Sequence, residues 1–469
     1  MIEQETNVEN GKSEIDAKSG ILHESENNDR VHRKAQNVND YIKLWLNIYE
    51  RKQNGKVDSF NEDNLREIVN SIESDNDIVD KYAFIYAFID NSIKNGNLSV
   101  KTITNSINND YNFLSLDIVR RLVEERLISI NDLDFENIGD VDVKREIINL
   151  LTNNYQNPQP ELPKEELNID INSISTQIYF WGLPSSGKTC VLGSLMSYLQ
   201  SGIVNQNVQS CNPDATSPGY KYMHGNNGDD SGIVGIFTPR QNKRTILLPG
   251  STPPQRAYNT NYTLRIHGDD GKDKDYPVTI IDFAGEILNK IYDIVTRSDE
   301  NGNKKEDLKK QLPFLFENKK GKHQMHFFLI DYCNDNNSKQ NNVLLQTAQF
   351  IKEEKLFANN TKRISIIVTK IDKTGWCTLD DQRAAASELF DRKRVGYSNF
   401  KGVLDAICED FQIEEVDVIP YSVGKLYFQR ICVPDTAYPK ELFDKIYKYG
   451  LCPNPSGIWS RIKKRILSK

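Results

Sequence analysis

The sequence lacks several features that mark secreted, membrane or nucleic-acid-binding proteins. Its seven cysteines are dispersed with no C-x-x-C pair, which is typical of free thiols in a reducing compartment. No run approaches the roughly 18 apolar residues that a membrane span needs. The first twenty residues contain no apolar core, so we expect no signal peptide. The formal net charge of −7 has the wrong sign for a nucleic-acid partner. We therefore expect a cytoplasmic protein that binds no nucleic acid.

The 469 residues, 38% of them hydrophobic, are enough for two or three domains with full cores. Residues 1–36 are polar and carry mixed charge, which predicts a disordered tail. Residues 37–156 have apolar residues at helical spacing, which predicts a helical domain. Two similar junctions, at 94–99 and 125–129, leave two interpretations open. They indicate either degenerate helical repeats, whose usual role is partner binding, or an irregular helical bundle, which we favour.

The remaining two thirds of the chain begin with a Pro-rich linker, predicted over residues 157–172. Over 173–469 strands and helices alternate, which predicts an α/β domain with a mostly parallel sheet and helices on both faces. Two polar insertions interrupt this alternation, near 201–258 and 287–322. Within the first insertion, residues 218–230 have no periodicity, and we expect them to be mobile or to be ordered by a partner.

The strongest motif runs from Gly182 to Thr189, G-L-P-S-S-G-K-T, and fits the phosphate-binding loop G-x-x-x-x-G-K-[ST]. Glycine is needed at Gly182 and Gly187 because the backbone must curl closely around phosphates. A short apolar strand precedes the loop and an amphipathic helix follows it, so the N-terminus of that helix would also face the anion. Lys188 would reach the β- and γ-phosphates, and the Thr189 hydroxyl would ligate Mg²⁺.

A second motif, D-x-x-G, ends the apolar strand over residues 277–282. An acid at the end of a buried strand beside a phosphate loop can hold the Mg²⁺ shell through a water, which gives Asp282 its expected role. Gly285 can bring its N–H against a γ-phosphate, and its small size lets the segment move when that phosphate leaves.

A third motif, T-K-x-D, follows the apolar strand that ends at Thr369. The stem of Lys370 can lie over a purine, and the Asp372 carboxylate can accept two hydrogen bonds from guanine N1–H and N2–H₂. Adenine offers an acceptor at N1, so this pairing selects guanine. A fourth, weaker signal is the turn at Ser422 and Val423, whose backbone N–H groups could face guanine O6.

In order and strand placement these motifs resemble those of Ras-like, translation-factor-class P-loop GTPases, over about residues 173–450. The resemblance implies a GTP-binding protein that hydrolyses GTP slowly with Mg²⁺ and acts as a nucleotide-dependent switch for a protein partner. The alternative is a GTP-binding assembly or scaffold protein with little or no hydrolysis. The family also has a threonine that senses γ-phosphate and Mg²⁺. Thr252 is favoured for that role, and Thr260 is its rival.

One departure from the family concerns the residue after D-x-x-G, where Ras-type proteins carry a catalytic glutamine and this chain has Glu286. A carboxylate there is repelled by the γ-phosphate, yet it could orient or deprotonate water. The long insertions and the D-F-A-G-E sequence also resemble bacterial double-GTPase groups implied in conflict systems, although only one such domain is present here.

The resemblance and the motifs together define the predicted sites. The GTP- or GDP-binding residues are Gly182, Ser185, Ser186, Gly187, Lys188, Thr189, Cys190, Gly285, Thr369, Lys370, Asp372, Ser422 and Val423. The catalytic residues are Glu286, Lys188 and Thr252, and the Mg²⁺ ligands are Thr189, Thr252 and Asp282. A protein partner is expected at the helical domain or the insertions. The basic C-terminal end, 459–467, is expected to be a solvated last turn, with contact to anionic lipid as its alternative.

Overall fold

The computed structural model of the protein describes residues 38–52, 59–75, 78, 80–155, 158, 160, 167–168, 174–201, 208–226, 231–239, 243–249, 257–267, 271–283, 285–297, 304–311, 323–334, 338–374, 378–391 and 397–451. These residues form two compact units: one runs to Tyr155 and also includes Tyr427–Arg430, and the other contains the rest. The predicted tail 1–36, most of the predicted linker and the basic end 459–467 lie outside the described residues.

The first unit is helical. Its helices are α1 (Val38–Lys52), α2 (Glu62–Ser74), α3 (Lys81–Lys94), α4 (Val100–Asn109), α5 (Leu116–Glu124) and α6 (Val141–Thr152), with a 3₁₀ turn at Ile130–Asp132. Polar side chains cap the free N–H groups at the helix starts: Asn61 accepts from the Asn64 N–H, and Asp80 from the Ala83 N–H. The apolar stripe of α2 is fully buried, which is what the sequence spacing predicts.

The two junctions that look alike in sequence also share their hydrogen bonding. In each, two consecutive N–H groups donate to one carbonyl near the end of the preceding helix. The acceptor is Ser92 in the first, at 2.9 and 3.1 Å, and Leu122 in the second, at 2.9 and 3.3 Å. A serine, Ser99 or Ser129, then caps the next helical turn. The similarity between the two segments therefore extends to their backbone geometry.

Residues Tyr427–Arg430 are part of the helical unit although they are distant in sequence. The Phe428 N–H donates to the Tyr111 carbonyl at 2.8 Å, and the Phe428 carbonyl accepts from the Leu116 N–H at 2.9 Å. The Phe428 side chain is fully buried and packs against the Tyr111 ring at a centroid distance of 6.1 Å. The helical core is thus completed by a segment from near the end of the chain.

The second unit contains a large sheet. Its strands are β1 (Leu167–Asn168), β2 (Thr176–Gly182), β3 (Val208–Pro213), β5 (Ala257–His267), β6 (Asp273–Phe283), β7 (His323–Asp331), β8 (Thr361–Thr369) and β9 (Asp417–Tyr421). A second, smaller sheet consists of β4 (Ile246–Leu247), β10 (Gly424–Tyr427) and β11 (Ile431–Pro434). The large sheet has the order β1-β5-β6-β2-β7-β8-β9, and β3 pairs with β5. From β6 through β9 the neighbours are parallel, and the β5–β6 hairpin is antiparallel.

The helices of this unit are α7 (Lys188–Gln200), α8 (Tyr220–His224), α9 (Ile233–Phe237), α10 (Gly285–Thr296), α11 (Lys304–Gln311), α12 (Ser338–Glu353), α13 (Leu379–Asp391), α14 (Tyr397–Phe411) and α15 (Ala437–Ile446). Strands β2, β7 and β8 are almost continuously buried, as expected for parallel strands covered by helices. The prediction of a mostly parallel sheet preceded by a helical domain is confirmed. No helix in the described ranges is both long and apolar enough to span a bilayer.

One prediction is wrong. Residues 218–230 were expected to be mobile or ordered by a partner, but 218–226 form α8 and its flanking turns inside the second unit, and 227–230 lie outside the described residues. Tyr222, Met223 and His224 are all buried, because this short helix packs on β5 and against α9. A helix of five residues is too short to produce a detectable apolar period, so the sequence carries no signal for it.

Candidate functional site

The parallel strands place the predicted motifs at one edge of the sheet. In a parallel sheet the carboxyl ends of neighbouring strands meet, and ligands of open α/β sheets bind outside those ends. The phosphate loop follows β2, the D-x-x-G segment follows β6, and the T-K-x-D segment follows β8. Because β2 lies between β6 and β7 with β8 beyond, the three motifs come together around the start of α7.

The phosphate loop has the tight curvature that its glycines predict. A Cβ at Gly182 would lie 2.4 Å from Ser186 Oγ, and Gly187 has a φ of +84°. Ser185 also takes a left-handed conformation, with φ +64°, which is unusual for a residue with a side chain and typical of functional loops. Lys188 Nζ donates to the Gly182 carbonyl at 2.8 Å, so the ammonium group lies across the mouth of the loop.

The D-x-x-G segment lies directly against this loop. A Cβ at Gly285 would lie 2.1 Å from the backbone N of Pro184, so only glycine fits. The segment therefore reaches the phosphate loop through its backbone, as the motif predicts. Gly285 is also the first residue of α10, so any movement of this glycine is coupled to a helix of the sheet's outer layer.

Asp282 is the last residue but one of β6 and is buried. Burial raises the pKa of Asp282 to about 6, while Lys188 and a hydrogen bond from Tyr258 act in the opposite direction. The Tyr258 hydroxyl donates to Asp282 Oδ2 at 3.1 Å. The other oxygen, Oδ1, is buried and has no hydrogen-bond partner among the described residues. One carboxylate oxygen is thus held by the protein and the other is available.

Glu286 lies in the first turn of α10, one residue after Gly285. Burial lowers the pKa of Lys188, and the carboxylates of Asp282 and Glu286 act against that shift. Both acids are therefore within electrostatic reach of the Lys188 ammonium. The structure brings two of the three predicted catalytic residues, Lys188 and Glu286, within electrostatic reach of each other.

The T-K-x-D segment is tied to the phosphate loop by a side chain. Thr369 Oγ1 donates to the Ser186 carbonyl at 2.8 Å. Lys370 has a φ of +57°, and its Nζ donates to Asp331 Oδ2 at 2.5 Å. Asp331 is buried at the end of β7, so this ion pair fixes the lysine stem beside the loop. The sequence analysis missed Asp331, although it ends a buried apolar strand in the same way as Asp282.

Asp372 follows in a 3₁₀ turn (Ile371–Thr374) and is partly exposed. The Cys190 thiol lies within electrostatic reach of both Lys370 and Asp372, and burial raises the pKa of that thiol to about 11. The Cys190 thiol is therefore neutral near pH 7 and adds no charge to this end of the site. Because Lys370 and Asp372 converge on the helix that starts at the phosphate loop, the predicted base-binding residues lie beside the predicted phosphate-binding residues.

The turn at Ser422 and Val423 is held rigidly. Ser422 Oγ accepts from the Gly424 N–H at 3.1 Å, and the Val423 carbonyl accepts from the Asp435 N–H at 3.0 Å. The preceding Tyr421 hydroxyl hydrogen-bonds with Ser194 Oγ of α7 at 2.7 Å. The turn is thus anchored to the helix that begins at the phosphate loop.

The remaining sequence candidates have different outcomes. Thr252 lies outside the described residues. Its rival Thr260 is buried within β5 and paired with Ile280. His326 is buried and accepts a hydrogen bond from Trp181 Nε1 at 3.2 Å, which suits a core residue. His323 and His326 both lie on β7.

Two tyrosines at the site were not anticipated from sequence. Tyr222 from α8 places its hydroxyl 3.5 Å from Thr189 Oγ1, and Tyr258 from β5 bonds to Asp282. Both lie in the first insertion, where no motif or period marks them. A tyrosine in an aperiodic polar segment carries no positional signal, so only the three-dimensional arrangement identifies them.

The residues around the loop fit a magnesium–nucleotide complex. Mg²⁺ takes oxygen ligands and retains several waters, so a threonine hydroxyl and a carboxylate with one available oxygen are suitable partners. Asp282 Oδ1 and Ser186 Oγ are buried polar atoms without hydrogen-bond partners in the described part of the chain. The left-handed loop supplies a backbone cradle that side chains at Gly182 or Gly285 would fill.

Comparisons with known proteins give remote similarity only. No protein-family profile matches the chain, and no curated protein does. Among solved structures, a nucleolar GTP-binding protein 1 from Plasmodium falciparum is 14% identical, with 66% of this chain and 99% of that chain covered and a TM-score of 0.24. The signal recognition particle receptor SRb-GTP/SRX complex from Chaetomium thermophilum is 15% identical, with 54% and 92% covered and a TM-score of 0.26. The S. cerevisiae Ski7 GTPase-like domain, bound to GTP, is 14% identical, with 53% and 43% covered and a TM-score of 0.23.

TM-scores this low support no detailed correspondence between residues. The second unit has a mostly parallel sheet with helices, and its phosphate-loop motif follows β2. The order β5-β6-β2-β7-β8-β9, with one antiparallel pair at β5–β6, places the loop after the central strand. Any more specific assignment must come from the chemistry of the site.

Proposed function

We propose that the protein binds GTP with Mg²⁺, hydrolyses it slowly and acts as a nucleotide-dependent switch for a protein partner. One observation carries the proposal: the hydrogen bond from Thr369 Oγ1 to the Ser186 carbonyl, at 2.8 Å. It joins the guanine-selective T-K-x-D segment to the phosphate loop. A generic phosphate-binding loop has no need for that connection, whereas a guanosine phosphate must be held at both ends at a fixed spacing.

At the phosphate end of the site, Lys188, Thr189 and Asp282 have different proposed roles. Lys188 supplies positive charge at the β- and γ-phosphates, and the loop N–H groups point at the same oxygens. Thr189 would hold Mg²⁺ directly and Asp282 would hold it through a water. When bound, Mg²⁺ neutralises phosphate charge and orients the β- and γ-oxygens. Asp282 must be ionised for this role, and the Lys188 ammonium and the Tyr258 hydroxyl favour its ionised form.

Hydrolysis is the step for which Glu286 is the candidate residue. A carboxylate one residue after Gly285 could accept a proton from an attacking water. Its proximity to Lys188 offsets part of the repulsion by the γ-phosphate. The same carboxylate favours a second function, a GTP-binding assembly or scaffold protein with little turnover, if repulsion outweighs proton transfer. The rate of a single turnover distinguishes the two.

The switch itself would involve Gly285 and α10. Because the Gly285 backbone is in contact with Pro184, a γ-phosphate bound at the loop changes what this segment contacts. The partner would then distinguish the two states through the insertions or through the helical unit, in a pathway such as bacterial conflict or defence. This part of the proposal rests on the resemblance of the sequence motifs.

Competition binding tests the nucleotide assignment. Labelled GTP is displaced by GTP, ATP or XTP from the full chain and from the variants Lys188→Ala and Asp372→Asn. We expect the wild type to prefer GTP, Lys188→Ala to lose binding, and Asp372→Asn to shift preference toward XTP, because an amide donates where the carboxylate accepts. Asp380→Asn, on the exposed surface of α13, is the matched control. Equal affinity of the wild type for ATP and GTP would contradict the proposal.

A further inference from the structure

Two tyrosine hydroxyls form a chain between the two residues predicted to hold magnesium. The Tyr222 hydroxyl lies 3.5 Å from Thr189 Oγ1, and the Tyr258 hydroxyl donates to Asp282 Oδ2 at 3.1 Å. The two tyrosine rings meet edge to face with centroids 4.8 Å apart. The hydroxyls therefore connect Thr189 to Asp282 along one side of the site.

Both tyrosines are buried and remain neutral near pH 7. The ordinary pKa of a tyrosine is about 10, so a phenol hydroxyl keeps its proton at neutral pH. A neutral phenol binds a hard cation less well than a carboxylate or an ionised ligand does. A hydroxyl 3.5 Å from Thr189 Oγ1 is, however, well placed to hydrogen-bond with a neighbouring water. The positions of the Tyr222 and Tyr258 hydroxyls therefore suit groups that hydrogen-bond with the metal's ligands, not groups that bind the metal directly.

The pairing at Asp282 is directional. Tyr258 occupies Oδ2, while Oδ1 is the buried oxygen without a partner in the described residues. A carboxylate with both oxygens unrestrained could rotate about its last bond and present either one. The tyrosine restricts that rotation, so Oδ1 is the oxygen left to accept a hydrogen bond from a metal-bound water.

Tyr222 is held in place from two sides. On the α7 side, Phe237 of α9 packs so closely that a Cβ at Gly193 would lie 2.2 Å from its ring. On the β5 side, the Gly219 N–H donates to the Asn259 carbonyl at 2.8 Å. The insertion is thus attached both to the helix that carries Thr189 and to the strand that carries Tyr258. Its packing presents the Tyr222 hydroxyl to the metal side of the site.

We propose that Tyr222 and Tyr258 are positioning residues for magnesium: their hydroxyls orient Thr189 and Asp282 and hydrogen-bond with the metal's water shell. This inference rests on the proposed GTP–Mg²⁺ function. It assigns a role to the first insertion, which would supply Tyr222 and Tyr258 to the metal site. Outer-shell partners of this kind typically change metal affinity roughly 10- to 100-fold when they are removed.

The test uses the full chain and the variants Tyr222→Phe, Tyr258→Phe and the double variant. Each removes only a hydroxyl and keeps the ring packing. The matched control is Tyr262→Phe, because Tyr262 is also buried on β5 and bonds to α8, through His224 Nε2 at 3.0 Å, but does not contact Thr189 or Asp282. The readouts are the affinity for fluorescent GDP in EDTA and the Mg²⁺ concentration that gives half-maximal slowing of GDP release.

We expect each single variant to need roughly tenfold more Mg²⁺, with unchanged GDP affinity in EDTA. The double variant should fall short of the product of the two effects, because both hydroxyls act in one chain. Tyr262→Phe should have the wild-type midpoint. Wild-type midpoints in Tyr222→Phe and Tyr258→Phe, or an equal shift in Tyr262→Phe, would overturn the inference alone. A wild type that binds no guanine nucleotide in EDTA or Mg²⁺ would overturn the proposed function with it.

Discussion

At the scale of single residues, the contact between Gly285 and Pro184 leaves no room for a side chain. Gly285→Ala must displace either the phosphate loop or the start of α10, at a cost of about 1–3 kcal/mol. We therefore expect GTP affinity to fall about tenfold or more, as measured by equilibrium binding. Gly402→Ala is the control, because nothing lies within 4 Å of a Cβ there. Wild-type affinity in Gly285→Ala would show that the contact relaxes without consequence.

Glu286 is a second residue whose role a single change decides. If its carboxylate accepts the proton of the attacking water, Glu286→Ala should slow a single turnover by about a hundredfold and leave GTP affinity unchanged. Glu286→Gln keeps the size and can still orient water but cannot accept its proton, so its rate should lie between those of Glu286→Ala and the wild type. Quenched-flow hydrolysis and GTP binding on the same preparations measure both quantities. Tighter GTP binding with an unchanged rate would instead show that Glu286 restrains the site by repulsion.

The residues that sequence reasoning found are those whose role depends on local order along the chain. Asp282 was found because an acid ends an apolar strand and a glycine follows at fixed spacing. Asp331 has the same position at the end of β7 but no motif beside it, and its ion pair with Lys370 joins residues 39 positions apart. Tyr222 had no signal at all. Partners brought together only by the sheet cannot be deduced from one strand's pattern.

At the scale of elements, β7 carries a buried histidine in the core of the sheet. His326 stacks on Phe357 at a centroid distance of 3.7 Å and accepts from Trp181. Burial lowers its pKa to about 3, whereas an unfolded histidine titrates near 6.5. Below about pH 6.5 the unfolded chain therefore binds a proton that the folded chain does not. Stability from this residue is complete above that pH and is lost as the pH falls toward 3.

We expect this single histidine to lower the free energy of unfolding by about 2 kcal/mol between pH 7 and pH 5. Urea unfolding followed by tryptophan fluorescence at the two pH values measures the loss. His326→Gln keeps an acceptor for Trp181 and cannot charge, so its loss should be smaller by that amount. His267→Gln, on the exposed end of β5, should behave like the wild type. Equal pH dependence in His326→Gln would contradict the buried, neutral state.

The elements that could be predicted are those with a long apolar period. Strand β8 and the second half of β6 were expected, because burial on both faces leaves a nearly unbroken apolar run in each. Strands β10 and β11 were not expected, because each has only four residues. Short elements are stabilised by their neighbours, so their own sequence contains little information about them.

At the scale of the whole molecule, the helical unit is completed by residues 427–430. We predict that cleavage in the predicted Pro-rich linker leaves fragments that still co-elute in gel filtration. Phe428 remains buried among the helices, and Arg430 keeps its 3.0 Å ion pair with Asp117. Phe428→Ala, which deletes a fully buried ring at about 3–5 kcal/mol, should let the cleaved fragments separate. Lys425→Ala, an exposed change on β10, should not. Separation of the cleaved wild type would contradict this prediction.

The position of that turn has a consequence for how the protein is made. The helical part ends at Tyr155, and the ribosome must add roughly 270 more residues before Phe428 exists, which takes roughly 15–50 s at ordinary elongation rates. During that interval the Tyr111 carbonyl and the Leu116 N–H, which later pair with Phe428, have no partner from their own chain. An N-terminal domain usually folds first during synthesis, but the helical unit cannot complete its core until residues 427–430 have been added. The incomplete helical unit on the ribosome is therefore the form that we expect a chaperone to bind.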